Sequence, residues 1–492
     1  MRRTHFLVLA VSASLLAAAC SSDKAAAPAA TDAPKTAVTT GATDAESNPT
    51  TPDATTVETP AATNEVTDTT PATDPQPEGV TLGSDGRLVP APCQGTNAAD
   101  EASGVTDAAV NISTLSIDFK QLAAIGFAPS ASDVRQWFQL LVDDLNAKGG
   151  VCGRTINYQG VLYDRILNEG GKGCIQVTQD VTNLMVLVQG GTPEAVCVAE
   201  TGAVTYTQHD FSKAELAGVL KNIFVRAPSW DEQVLATVQY AIDSGQLEGK
   251  KVGVWYGSIF LDQGDTVERL VFPLFDKAGI DYIPFRTDFV GPSDPQGNTV
   301  LLAAASEYTS AKIDVLLNFT GTTNHTAMQS ELAAQGLIPA FISAPISANS
   351  SNAIFAKASG VETIANGENI VSFTKAINEI KDENPAVVSC HKQFTALGLA
   401  AIEPGTFDYA ASANMCLQFD MVVAALSIAG GDLTRETMIS AMESLPAHPG
   451  ATIYGEEMFT ADNHFSPASW AVHLYDGATN SYSTTNPFEF AG

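Results

Sequence analysis

Positive charge is what this chain has least of. Its 492 residues carry 25 Lys and Arg against 55 Asp and Glu, a formal net charge of −30 at pH 7. Nucleic-acid binding and electrostatic adhesion to anionic lipid both need clustered cations, so the composition argues against each. Histidine is also scarce. There are seven, widely scattered, with no HxxxH pair and no CxxC, so no metal site is expected. GxSxG, GxxxxGK[ST] and GxGxxG are all missing. The adjacent acids Asp382-Glu383 and Glu456-Glu457 point apart on regular elements and read as solvated faces. The chain is therefore read as a non-enzyme that needs no cofactor. Past the N-terminus no run of 18 apolar residues occurs. The richest stretch, Met421 to Ala429, reads as a buried helix.

What is present begins with an export signal. Arg2 and Arg3 precede an almost wholly apolar run from Phe6 to Ala19, and Ala17-Ala18-Ala19-Cys20 follows. This is the pattern of a secretory signal peptide. Its ending resembles a bacterial lipobox, which implies residues 1–20 as the signal, with lipid on Cys20 and anchorage to the outer face of a membrane. Ala17 stands where Leu is commonest, and the alternative is an ordinary cleavage after Ala19. Residues 21–90 are rich in Thr, Ala, Pro, Asp and Glu. Such a stretch buries too little apolar surface to offset its ordering entropy, so it reads as a disordered, extended spacer. Part of the acid excess lies there and says nothing about a pocket.

Six cysteines remain after Cys20: Cys93, Cys152, Cys174, Cys197, Cys390 and Cys416. An even number in an oxidising compartment suggests three disulfides, among 15 possible connectivities. The favoured set is Cys174–Cys197, Cys390–Cys416 and Cys93–Cys152, with free buried thiols as the alternative for any one pair.

From residue 112 onward strand and helix patterns alternate. Helices are expected at 133–146, 176–183, 231–244, 266–278, 300–310 and 327–335. Strands are expected at 155–162, 184–188, 251–256, 281–286 and 313–319. Repeated β-α units imply α/β architecture with doubly wound parallel sheets. Ligands of such sheets bind beyond the strands' carboxyl ends.

The run Val142-Asp143-Asp144-Leu145-Asn146-Ala147-Lys148-Gly149-Gly150-Val151-Cys152-Gly153-Arg154 resembles the end of the first helix in type I periplasmic binding proteins. The likeness is to their branched-chain amino-acid (leucine/isoleucine/valine) binding family, which serves ABC importers. Phe224-Val225-Arg226 with Asp231 and Gln233 is similar to that family's first crossover. Phe275 to Ile280, Ala333 to Leu337, Phe459 to His464 and Leu474 to Gly477 resemble later landmarks in the same order. The resemblance covers about 112–480. It implies two lobes within 91–492, joined by three hinge strands. Lobe one would be about 112–228 plus 345–447, and lobe two about 229–344 plus 448–488. A small polar solute, such as an amino acid, amide or urea-like compound, would be captured by hinge closure. A membrane permease would recognise the closed form of a monomer.

The resemblance also places the pocket. The lobe-one loop Gln189-Gly190-Gly191-Thr192 would hold a carboxylate, Gly191 through its backbone and Thr192 through its hydroxyl. The next loop, Gln208-His209-Asp210-Phe211, is more charged than its family counterpart. In lobe two Leu261 falls where an aromatic is usual, with Phe260 before it and Asp262 after. The loop Thr320-Gly321-Thr322-Thr323-Asn324 puts Asn324 where the family has an acid for the ligand ammonium. An amide pairs weakly with an ammonium, so Asp210 or Asp262 substitutes, or the ligand is no α-amino acid. Trp230, Tyr163 and Phe127 are possible stacking partners, although core packing is the commoner use of such rings. A ligand sensor or surface-interaction lipoprotein built on the same fold is the rival reading.

Overall fold

The computed structural model describes residues 79–485, apart from 125–131, 165–168, 209, 220, 258–262, 288–294, 346–355, 358–359, 382 and 468. The expected signal peptide, Cys20 and most of the spacer lie outside the described residues, as do Phe127, His209, Phe260, Leu261 and Asp262.

Lobe one is built on five parallel strands. Across the sheet they run Thr155–Tyr163, Ala109–Ile117, Met185–Gln189, Val204–Thr207 and Ile223–Val225. Both faces are covered, which is why Met185 to Val188 reads as a continuous apolar run. Met185 and Leu187 point into one core with Phe138, Leu141 and the helix Phe407–Ala429. Val186 and Val188 point into another with Cys174, Val177, Ala195 and Val198. Phe407–Ala429 is long and apolar enough to cross a membrane by composition, but 83% of its most apolar window is buried here.

The most specific sequence run is a structural clamp. Asn146 ends the helix Arg135–Ala147 by bonding both backbone groups of Ile156, at 2.9 Å each. Gly150 follows with φ 74°, where a Cβ would lie 1.9 Å from the carbonyl oxygen of Arg154. Only glycine fits that turn. Arg154 is 1% exposed. Its guanidinium donates to the carbonyls of Ala98, Thr106, Gly430 and Gly431, fastening three segments together.

One helix lies elsewhere than its composition suggests. It spans Gly170–Thr178 instead of 176–183. Three glycines in this helix lower its propensity. Close packing outweighs that cost, since a Cβ on Gly173 would meet Leu115 at 2.6 Å. Asn183 then bonds the carbonyls of Val177 and Val181 and ends the turn.

The spacer ends earlier than residue 90. Thr81–Leu82 pairs antiparallel with Leu88–Val89, and Val80 and Leu88 are buried in the lobe-one core. Arg87 makes a bidentate ion pair with Asp420, both contacts at 2.7 Å, and Ser389 donates to Asp85. These apolar and charged anchors make residues 79–103 a strap over lobe one. Disulfides join Cys93–Cys152, Cys174–Cys197 and Cys390–Cys416, with Cα separations of 5.3, 6.3 and 5.9 Å. The favoured connectivity is the one found. Asp420 lies beside Cys390 and Cys416, but bonded sulfurs are not metal ligands.

Lobe two holds a seven-stranded sheet. Its order is Ser481–Thr484, Ala471–Asp476, Asn369–Ser372, Ala340–Ser343, Val315–Phe319, Val252–Tyr256 and Tyr282–Arg286. The last five are parallel and the first two are antiparallel additions. Helices Trp230–Asp243 and Gln263–Ala278 cover one face, and Pro295–Ala311 and Thr322–Ala334 the other.

The lobe boundaries differ from the expected ones at two places. Asn369–Ser372 pairs with Ala340–Ser343 in lobe two, so the chain returns to lobe one near 373–380 and not at 345. Residues 448–466 then lie along lobe one: Phe465 bridges Val225 in parallel, and Glu457 accepts from Tyr206 and Arg226. β-pattern alone does not say which edge a strand joins. The three crossings are therefore at about 226–229, 373–380 and 466–470. The first and third leave lobe one side by side, where Val225 bridges Phe465 in parallel, and Thr374 of the second bridges Ile453 of the lobe-one return. At their lobe-one end Arg226 and Glu457 form a buried ion pair of 2.8 Å, completed by Thr452 and Tyr206.

Candidate functional site

Each lobe repeats one strand order. The first strand lies between the second and the third, and the fourth and fifth follow outward. The chain therefore switches direction between 109–117 and 185–189 in lobe one, and between 252–256 and 315–319 in lobe two. Side chains diverge at such a point and leave a crevice at the strands' carboxyl ends. The described loop residues singled out from the sequence fall on these ends. Gly190 to Thr192 follow the third strand of lobe one, Gln208 and Asp210 follow the fourth, and Thr320 to Asn324 follow the third strand of lobe two.

On the lobe-one side the geometry departs from a simple anion cradle. Gly191 caps the helix Thr192–Ala199, and its amide donates to Glu194 Oε2 at 2.8 Å. One backbone donor expected for a ligand carboxylate is thus engaged by the chain's own carboxylate. Glu194 also supplies the negative charge that a helix N-terminus favours. Thr192 is buried, and the Tyr163 ring lies against Gly190. Ser116 Oγ donates to Gln189 Oε1 at 3.2 Å across the switch point. Gln208 is exposed, while Asp210 accepts from Gln233 Nε2 at 2.5 Å. Burial raises the Asp210 carboxyl to about 6, against the lowering pull of that hydrogen bond and of its own backbone. The residue keeps part of its surface open although the carboxyl is densely surrounded by protein, as on a crevice wall.

On the lobe-two side, Asn318 Oδ1 accepts from the amide and hydroxyl of Thr320 and fixes the turn. Gly321 is the N-cap of Thr322–Ala334, and Asn324 is 2% exposed. Beneath it sits a polar network that sequence reading missed. Glu368 accepts from Ser343 Oγ at 2.5 Å and Gln329 Nε2 at 3.1 Å, and bonds His325 Nε2 at 2.7 Å. All four residues are at most 1% exposed. The network ties the helix start to the fourth and fifth strands of lobe two, so Asn324 stands on a rigid base.

Trp230 is fully buried, its indole N–H donating to the Gln263 carbonyl at 3.1 Å. It serves as core. Tyr163 is likewise buried, in the second core of lobe one. Several polar atoms at the carboxyl edge of lobe two are buried and bond nothing: Gln233 Oε1, Gln263 Nε2, Thr266 Oγ1 and Thr287 Oγ1. Buried polar groups are nearly always paired, and these atoms are exceptions. Gln263 and Thr266 carried no local signal, because a Gln or Thr early in a helix is ordinary. A separate cavity of about 180 Å³, lined by Leu88, Leu141, Phe419 and Val423, lies beneath the strap. It is remote from the strand ends and has no part in the crevice.

No protein-family model matches the sequence, nor does any curated protein. Solved structures do. The chain is similar to a fatty acid ABC transporter substrate-binding protein from Thermomonospora curvata, with TM-score 0.57 and 18% identity over 79% of this chain and 94% of that one. It is similar to a leucine binding protein from Thermotoga maritima, with TM-score 0.57 and 13% identity over 77% and 99%. It is also similar to a type 1 periplasmic binding protein from Bordetella pertussis, with TM-score 0.53 and 14% identity over 77% and 100%. The chain has the type I periplasmic binding protein fold, as the sequence resemblance implied.

Proposed function

We propose that this protein is an extracytoplasmic solute-binding lipoprotein of an ABC importer. It captures a small polar solute between its lobes and presents the closed form to a membrane permease. The observation that carries this reading is the crevice itself: the five parallel strands of each lobe share one order and present their carboxyl ends at the switch points, and three crossings join the two sheets. Two of the structural neighbours, a fatty acid ABC transporter substrate-binding protein and a leucine binding protein, support it. The cargo of those neighbours ranges from fatty acid to leucine, so the fold alone leaves chemistry to the loops. Anchorage through Cys20 belongs to the same proposal and rests on the N-terminal sequence, and the monomeric state rests on the family resemblance.

The test is thermal unfolding of the full-length chain in detergent against amino acids, amides, ureas, amines, sugars and nucleosides. A solute at 100 times its Kd stabilises the native state by about 2.7 kcal/mol, a shift of several degrees. Thr192→Ala or Asn324→Ala is expected to weaken binding by about 0.5–1.5 kcal/mol each. Unchanged affinity in both variants removes those loops from the site.

A further inference from the structure

The helix start at the lobe-one switch point is closed to an anion by the chain itself. Such a start, at the carboxyl end of a parallel strand, is where an α/β sheet holds an anionic group, because unpaired amides and the helix dipole both favour negative charge there. Here it is formed by Gly191 to Glu194. The Gly191 amide donates to Glu194 Oε2 at 2.8 Å. Pro193, in the first turn, has no N–H to offer. Gly190, just before the helix, lies so close to the Tyr163 ring that a Cβ on it would be 2.6 Å from Tyr163 Oη.

The Glu194 carboxylate is also seated from its other side. Oε1 packs on Gly170, the first residue of the neighbouring helix, where a Cβ would lie 1.7 Å from that oxygen. Glycine at 170 therefore makes room for the carboxylate. Glu194 is half-buried and keeps part of its surface open. The corresponding helix of lobe two, Thr322–Ala334, starts after Gly321 with no acid in its first turn. The topology itself does not call for one.

We propose that Glu194 is a specificity-determining residue that bars an acidic group of the cargo from lobe one. A guest carboxylate brought to this loop finds the Gly191 amide taken and meets a like charge, and that penalty discriminates against acids. An amide or hydroxyl on the guest meets a carboxylate that can accept from it. The cargo is accordingly a solute whose lobe-one end is a hydrogen-bond donor without negative charge, as in amides, ureas and polyols. This deepens the solute-binding reading and rests on it.

The experiment is calorimetric titration of the full-length chain in detergent with two matched pairs, acetate and acetamide, benzoate and benzamide, at constant ionic strength. It is repeated on Glu194→Ala. Affinity for the acids is expected to be at least about tenfold higher in the variant than in the parent protein, while affinity for the amides does not rise. Should Glu194→Ala fail to be secreted, Glu194→Gln keeps an oxygen for the Gly191 amide, removes the charge and carries the same test. A smaller rise, an equal rise for acids and amides, or no binding of the acids by either protein overturns the proposal. The wider solute panel judges capture separately. A solute from it that binds parent and variant alike leaves capture standing when the bar against acids falls, and a panel without any binder removes both.

Discussion

Asp210 concentrates the residue-scale argument, because its environment disfavours its charged form. Its carboxyl is raised to about 6 by burial, from an ordinary value near 4. A raised pKa means that the unliganded fold is favoured when the group is protonated. That advantage is whole below about pH 4 and is lost as pH rises through 6. Asp210→Asn has no charge to bury and keeps an oxygen to accept from Gln233. Its melting temperature relative to the parent protein should therefore rise between pH 4 and pH 6 and stay level above. Melting curves in overlapping buffers check this, and a difference independent of pH would show that the carboxyl is already well solvated. Other residues argue in the opposite direction. Arg154 and Asn146 belong to the run that first suggested the family, yet every contact they make is to backbone, so they are structural.

Among the elements, the strap and the relocated strand matter most. The 79–103 strap is held by Leu88, the Arg87–Asp420 ion pair and the Cys93–Cys152 bridge, whose ends are 59 residues apart. Closing a loop of that length lowers unfolded-chain entropy by about 4 kcal/mol in the chain-entropy model. The double variant Cys93→Ser, Cys152→Ser should lose stability of that order, measured by its urea unfolding midpoint. A loss below about 1 kcal/mol would mean that the noncovalent anchors suffice. Strap and bridge both attach to lobe one. The strand Asn369–Ser372 shows the limit of reading elements one by one. Its Ile-Val pair reads as buried strand anywhere, and only pairing with Ala340–Ser343 puts it in lobe two.

At the scale of the molecule, the lobes share a core. One apolar cluster contains Leu115, Val186 and Val188 of the lobe-one sheet together with Val371, Phe373, Trp470 and Val472 at the crossings and in lobe two. The crossings therefore sit in a packed centre and are not a bare linker. Calorimetry of the unliganded chain should show a single cooperative transition, which Phe373→Ala broadens or splits. Two well-separated transitions in the parent protein would show that the lobes fold independently.

By itself the sequence determined whatever depends on composition and short-range pattern. The expectation of export came from the charge and apolar order of the first twenty residues, and that of three disulfides from an even set of six cysteines. The α/β class followed from alternating periodicities, and the two-lobed family resemblance from an ordered series of helix ends. The loops at the switch points were legible for the same reason, since turn residues after apolar strands are local signals. Tertiary structure decided what depends on residues meeting from far along the chain. It set the sheet that Asn369–Ser372 joins and the return of 448–466 to lobe one. It occupied the Gly191 amide with Glu194 and buried the His325–Glu368 network. It also set Asp210 against Gln233 across the first crossing. A carboxylate and an amide 23 positions apart carry no mutual signal in sequence. Their pairing arises only where the fold lays the helix past the first crossing against the loop after the fourth strand of lobe one.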